Sequence, residues 1–240
     1  MTSQLNSEDH RYKFNESSGQ VIDDGVVGGL NSTSITGETY NGDSITLDGV
    51  TGKIVLPANV LDPTADFSGY LAFRNLDTVT LTKQMLAMDP NGFSPALAWL
   101  GVSSEHAIDV NNTGGDVVKI SSRLITNTEI LVYSYSYKVS TRLISLAVVS
   151  DENLNLFGTA TESVTLPVNL SVQLGVDGTD SNFVNIELLQ MGTYITTLSA
   201  TDLTDTAVSL VKLLSADNTI IPNIIPNKII VKNIIPRIFS

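Results

Sequence analysis

The sequence predicts an all-β fold: an antiparallel β-sandwich with one short C-terminal helix and an extended C-terminal arm. Three observations carry this reading. Most of the chain consists of short, β-type apolar runs cut by turn residues. Charged residues make up only 16% against 42% hydrophobic, so Ser, Thr, Asn and Gly must cover much of the surface. A length of 240 residues suits a single large sandwich core.

The strands follow in order. Arg11 to Asn15 alternates polar and apolar around Tyr12 and Phe14. Ser44 to Leu47 and Gly52 to Leu56 are short runs split by the turn pair Asp48-Gly49. Leu56-Pro57 ends the second of them, because proline cannot donate to a ladder. Gly69 to Arg74 carries Tyr70, Leu71 and Phe73, and Ala96 to Val102 holds the lone Trp99. Glu129 to Val139 reads E-I-L-V-Y-S-Y-S-Y-K-V. Its period of two puts Tyr133, Tyr135 and Tyr137 on one face and Ser134 and Ser136 on the other. Leu143 to Val149, Ser163 to Leu166, Ser171 to Leu174 and Asn185 to Leu189 complete the set. Such strand density with few helical interruptions excludes βαβ units.

From Asp202 to Ala216 the period changes. Leu203, Ala207, Leu210, Val211 and Leu214 form a helical stripe, with Thr201 or Asp202 placed to cap it. Beyond Asp217 the chain becomes isoleucine-rich, with I-I-P at 220–222, 224–226 and 234–236 and a related I-I-V at 229–231. The prolines forbid a continuous helix and restrict pairing to sheet edges. The expected organisation is therefore a sandwich over 1–200, a closing helix over 201–217 and an arm over 218–240. The arm has no acid and carries Lys228, Lys232 and Arg237. The other ten basic residues sit with all 25 acids, so a +3 arm follows a body of net charge −15.

Composition narrows the function. The net charge of −12 opposes binding along a nucleic-acid backbone or to an anionic membrane. The absence of cysteine excludes disulfides, thiolate metal sites and a Cys nucleophile. The first residues carry no apolar stretch of the secretory kind, and no run of 18 apolar residues occurs, so neither a signal peptide nor membrane insertion is expected.

Four pieces near the start carry a family resemblance: Y-K-F-N-E-S-S-G-Q-V-I-D-D at Tyr12 to Asp24, N-G-D-S-I-T-L-D-G at Asn41 to Gly49, G-K-I-V-L-P at Gly52 to Pro57, and D-F-S-G-Y-L-A-F at Asp66 to Phe73. At the far end L-G-V-D-G lies at Leu174 to Gly178 and N-F-V-N-I-E-L-L-Q-M at Asn182 to Met191, followed by T-L-S and the helix. In order and spacing these pieces resemble the concanavalin A-like, laminin-G-like (LamG) jelly-roll domains. The resemblance covers both ends of about 200 residues, and between roughly 75 and 170 it extends only to strand density. It implies that the first and last strands lie side by side in one sheet.

The resemblance suggests three kinds of site. Many such domains hold calcium, and Asp23, Asp24 and Glu187 are the candidate ligands, although Glu187 stands where the family has aspartate and Leu188 where it has glutamate. The bland alternative is a solvated turn acid and an edge-strand acid. Lectins of this architecture use aromatic platforms, for which Trp99, Tyr133, Tyr135 and Tyr137 are available. The same tyrosines suit a sheet face packed on its partner, and that reading is preferred. The family's hydrolases carry an E-x-D-x-x-E-like strand; no such run occurs, and no pattern around His10 or His106 suggests a triad. No catalytic residue and no cofactor beyond possible calcium is expected.

The leading expectation is a non-enzymatic virion structural protein of a tailed bacteriophage. It would serve as a capsid decoration, head-fibre or tail adsorption component, made in the host cytoplasm. The sandwich would face outward toward host surface glycans, and the arm would join a homo-oligomer or other virion proteins. Ile221, Ile225, Ile230 and Ile235, with Lys228, Lys232 and Arg237, are the candidate assembly residues. An arm folded back on its own sandwich is the plainer reading. The alternatives are a carbohydrate-binding, lectin-like module of a bacterial surface system and, behind it, a polysaccharide-cleaving enzyme.

Overall fold

The computed structural model describes residues 4–17, 21–26, 28–62, 64–76, 82–87, 96–100, 105–109, 116–121, 129–161, 172–176 and 183–218. The expected strand at Ser163 to Leu166 and the arm residues Ile221, Ile225, Lys228, Ile230, Lys232, Ile235 and Arg237 lie outside them.

The strands are β1 (His10–Tyr12), β2 (Ser34–Thr36), β3 (Glu38–Tyr40), β4 (Ile45–Asp48), β5 (Lys53–Leu56), β6 (Phe67–Asn75), β7 (Thr82–Ala87) and β8 (Ala96–Leu100). They continue with β9 (Glu105–Asp109), β10 (Asp116–Ser121), β11 (Leu131–Lys138), β12 (Leu143–Ser150), β13 (Asn155–Thr161), β14 (Val172–Leu174) and β15 (Asn185–Tyr194). One helix, α1 (Ala200–Asn218), follows.

Two antiparallel sheets result. The first runs β13-β12-β11-β6-β15-β4-β3, with β1 also paired to β15; the second runs β10-β9-β8-β7-β14-β5-β2. The expected all-β sandwich is therefore the observed one. The first and last strands do meet: Tyr12 stands opposite Met191 and His10 opposite Thr193. β4 pairs with the earlier half of β15 and β1 with the later half, while β6 runs along the other edge. The Asp48-Gly49 turn carries the chain from one sheet to the other, since β4 and β5 belong to different layers. Asp48 Oδ1 accepts the amide N–H groups of Val50, Thr51 and Gly52 there.

The main core lies between the sheets, where Leu47, Leu56, Leu71, Phe73, Ile186 and Leu188 are buried together. A second core lies on the outer face of the first sheet. There Tyr70, Val132, Val149 and Tyr194 pack against Ala207, Leu210 and Val211 of α1. The helical stripe read from the sequence is thus the face that docks. Ser199 caps the helix in place of Thr201 or Asp202: its Oγ accepts the Asp202 N–H at 3.2 Å and donates to Asp202 Oδ2 at 2.7 Å. The ST-turn geometry wins because Ser199 is the last residue before the helical backbone begins. A bulge in β15 between Leu188 and Gln190 breaks the strict alternation. Leu189 joins the helix-side core, and Gln190 Nε2 donates to the Tyr70 hydroxyl at 2.7 Å.

Candidate functional site

The tyrosine stripe is not a binding platform. Tyr133, Tyr135 and Tyr137 are 0%, 1% and 2% exposed and belong to the core between the sheets. Phe73 meets Tyr133 edge-on at a ring separation of 5.2 Å, and Phe67 meets Tyr135 at 6.5 Å. Burial drives the Tyr133 hydroxyl well above its ordinary pKa. A residue pattern that could have served stacking serves packing, because the opposite sheet closes over it. Trp99 lies on β8 opposite Lys83 and His106 in register, in the second sheet, and so is not on the strand of the tyrosines.

The three carboxylates considered for calcium are not gathered together. Glu187 lies on β15 near Arg74 and Ser44: Arg74 Nη1 stands 2.7 Å from Glu187 Oε2, and Ser44 Oγ donates to Oε1 at 2.5 Å. Its neighbours Ile186 and Leu188 face the core, so alternation turns Glu187 to the opposite face. Asp24 is held in the first loop. Its carboxylate accepts the amides of Arg11, Val26 and Leu30, and His10 Nδ1 stands 2.6 Å from Oδ2. Burial pushes this carboxyl up, but the hydrogen bonds from Arg11, His10, Leu30 and Val26 outweigh it and hold it below its ordinary 3.8. Asp23 accepts from Asn31 Nδ2 at 2.9 Å. Among the described residues no group of three or more His, Asp or Glu side chains converges as a metal site.

What the fold builds instead is a cleft of about 440 Å³ beside β1, lined by Arg11, Lys13, Asn15, Glu16, Ser17, Asp23 and Gly25. Its origin is the period-two pattern of R-Y-K-F-N. Tyr12 and Phe14 turn into the core with 0% exposure, and this leaves Arg11, Lys13 and Asn15 on the outward side. The returning segment completes the wall through the bridge between Tyr12 and Asp24, with the Gly25 N–H donating to the Arg11 carbonyl at 2.7 Å. Glu16 ties the two sides together, its Oε1 accepting the Asp23 amide at 2.9 Å. Arg11 is fixed from behind by Asn6, to which Nη1 donates at 2.6 Å, and by Glu8 at 3.8 Å.

The cleft wall holds two cations, two carboxylates, an amide and a hydroxyl. Two of its polar atoms, Arg11 Nε and Glu16 Oε2, are buried without a hydrogen-bond partner. Sequence reasoning used the alternation at Arg11–Asn15 to place a strand. The same alternation also marked the outward charged residues, but the return of Asp23 and Gly25 against them depends on a long-range bridge.

No family model and no curated protein matches the chain. Solved structures do match. A sialidase of Trypanosoma rangeli, in complex with sialic acid, aligns with a TM-score of 0.61 at 12% identity, over 83% of this chain and 32% of the sialidase chain. The binding domain of botulinum neurotoxin DC, in complex with rat synaptotagmin II, aligns with a TM-score of 0.59 at 11% identity, over 85% of this chain and 52% of that one. The chain thus spans about a third of the sialidase and about half of the toxin domain. At these identities the likeness establishes the sandwich fold and no more.

Proposed function

We propose that this chain is a non-catalytic recognition module whose sandwich binds a glycan and whose C-terminal arm holds it in a larger assembly, foremost a virus particle such as a tailed bacteriophage. The observation that carries the binding half is the polar cleft beside β1, where donors and acceptors line a space of ligand size. Among the solved structures of like fold, one is a toxin binding domain in complex with a protein and another an enzyme in complex with a sugar acid. The assembly half rests on the isoleucine-rich, basic segment that follows α1. Its charge is opposite to that of the body, so it suits contact with the acidic surface of a neighbouring copy.

The test uses the full chain on an array of immobilised oligosaccharides, with reducing-sugar release measured on every glycan that binds. Binding without release supports the proposal. Release of reducing sugar from a bound glycan overturns the non-catalytic part, and an array with no binding overturns recognition of glycans.

A further inference from the structure

Resting on that reading, we infer that the cleft beside β1 is the glycan site and that it selects a neutral saccharide, gripped by neighbouring hydroxyl groups. A sugar hydroxyl donates one hydrogen bond and accepts others, so it pairs best with a carboxylate on one side and a cationic donor on the other. The cleft lining supplies both kinds of group, the carboxylates of Glu16 and Asp23 and the cations of Arg11 and Lys13. The volume of about 440 Å³ lies in the range of small-ligand sites.

Charge decides between neutral and acidic sugars. The two cations and two carboxylates of the wall cancel, so the site offers no net attraction to a carboxylated or sulfated sugar. The chain as a whole carries −12 and repels one at longer range. The cations are also partly committed, since Arg11 Nη1 already donates to Asn6. What remains is a mixed set of donors and acceptors, which matches a polyol better than an anion.

The unpartnered atoms point the same way. Buried polar atoms in a folded protein almost always have a partner, supplied by protein, water or ligand. Here Arg11 Nε is a donor and Glu16 Oε2 an acceptor, both on residues that line the cleft and both without a partner. Both atoms are closed off from solvent, so a saccharide pairs them only by turning these two side chains toward it as it seats.

Two substitutions test the site in the full chain. Glu16→Gln keeps an oxygen for the Asp23 amide and replaces the second acceptor by a donor. Lys13→Gln changes an exposed side chain. Lys138→Gln, exposed at the end of β11, is the control. The probe is an array of neutral hexose and N-acetylhexosamine oligosaccharides beside carboxylated and sulfated ones. The expected result is binding to neutral glycans that weakens at least tenfold in both cleft variants and is unchanged in the control. Should Glu16→Gln fail to fold, the Lys13→Gln comparison still decides. Neutral-glycan binding unchanged in the cleft variants overturns this site while leaving glycan recognition standing. Binding confined to acidic glycans overturns the neutral selectivity, and binding to none overturns both readings.

Discussion

Tyr135 lies across Gly69, its register partner on the neighbouring strand, with the hydroxyl 2.5 Å from where a Cβ at Gly69 would stand. The outer face of the same sheet repeats the arrangement one strand over. Gly192 stands opposite Tyr70, whose ring atoms would come within 2.6 Å of an added Cβ. Each tyrosine ring thus fills the space above a bare backbone. Gly69→Ala and Gly192→Ala should each destabilise the fold by about 1–3 kcal/mol through overpacking, read as a lower guanidinium midpoint. Tyr135→Phe should be neutral or mildly stabilising, because its hydroxyl is buried with no hydrogen-bond partner.

The pairing of these residues explains which parts of the fold were legible. Alternation within Glu129–Val139 placed the tyrosines on one face and the serines on the other, and both placements hold. It could not tell which face would be covered, because both are: one by the opposite sheet, the other under α1 and the segment leading to it. Ser68 shows the second cover, accepting the Leu198 N–H at 2.7 Å. The same limit hid short strands such as β2 and β3, whose three residues each carry too little periodicity to register. β13 was missed for another reason: it pairs on one side with β12 and leaves alternate residues exposed, so its composition reads as polar. The acids considered for calcium are not brought together among the described residues. A sequence shows that Glu187 is an acid in a strand, but not that Arg74 on the adjacent strand already answers it.

The tyrosine core and the cleft make opposite demands on substitution. Tyr133→Ala removes a fully buried ring from between the sheets and should cost about 3–5 kcal/mol. Lys13→Gln should leave stability within about 0.5 kcal/mol. Chemical denaturation of the two variants separates them. A Tyr133→Ala protein of unchanged stability would show that the stripe is a surface after all.

The Arg74–Glu187 pair should behave as a coupled unit. The two side chains are 16% and 19% exposed, so solvent screens them only in part. Glu187→Gln leaves the Arg74 cation without its counter-charge. A double-mutant cycle with Arg74→Met should return a coupling of about 1 kcal/mol or more. Calcium supplies an independent check. Addition of millimolar calcium should raise the Tm of the native protein no more than that of Glu187→Gln.

Acid should weaken the fold partly through Asp24. Its pKa is held below 3.8 by the hydrogen bonds it accepts in the folded state. The folded state therefore binds that proton less readily than the unfolded chain does. The stabilisation is complete above the unfolded carboxyl pKa of about 3.9 and is lost as pH falls through the lower folded value. Denaturant midpoints recorded from pH 6 to pH 2 should fall at the acid end. Asp24→Asn should start lower at pH 6 and fall less steeply, because part of the titrating difference is gone.

The arm gives the most direct test of assembly. Among the described residues both cores are built from residues no later than Val211, with Leu214 packed at the margin. α1 docks on the outer face of the first sheet and gives the sandwich its cover on that side. Removal of residues 219–240 should therefore leave a folded unit, read by circular dichroism. The deleted segment carries nine isoleucines, and at roughly 1.5–3 kcal/mol for each fully buried side chain their shelter exceeds what one weak contact provides. If neighbouring copies supply that shelter, the full chain sediments as an oligomer and the truncated one as a monomer. If the arm packs on its own sandwich, the truncated chain instead loses stability at constant mass. Equal sedimentation and equal stability of the two chains would remove any role for the arm in assembly.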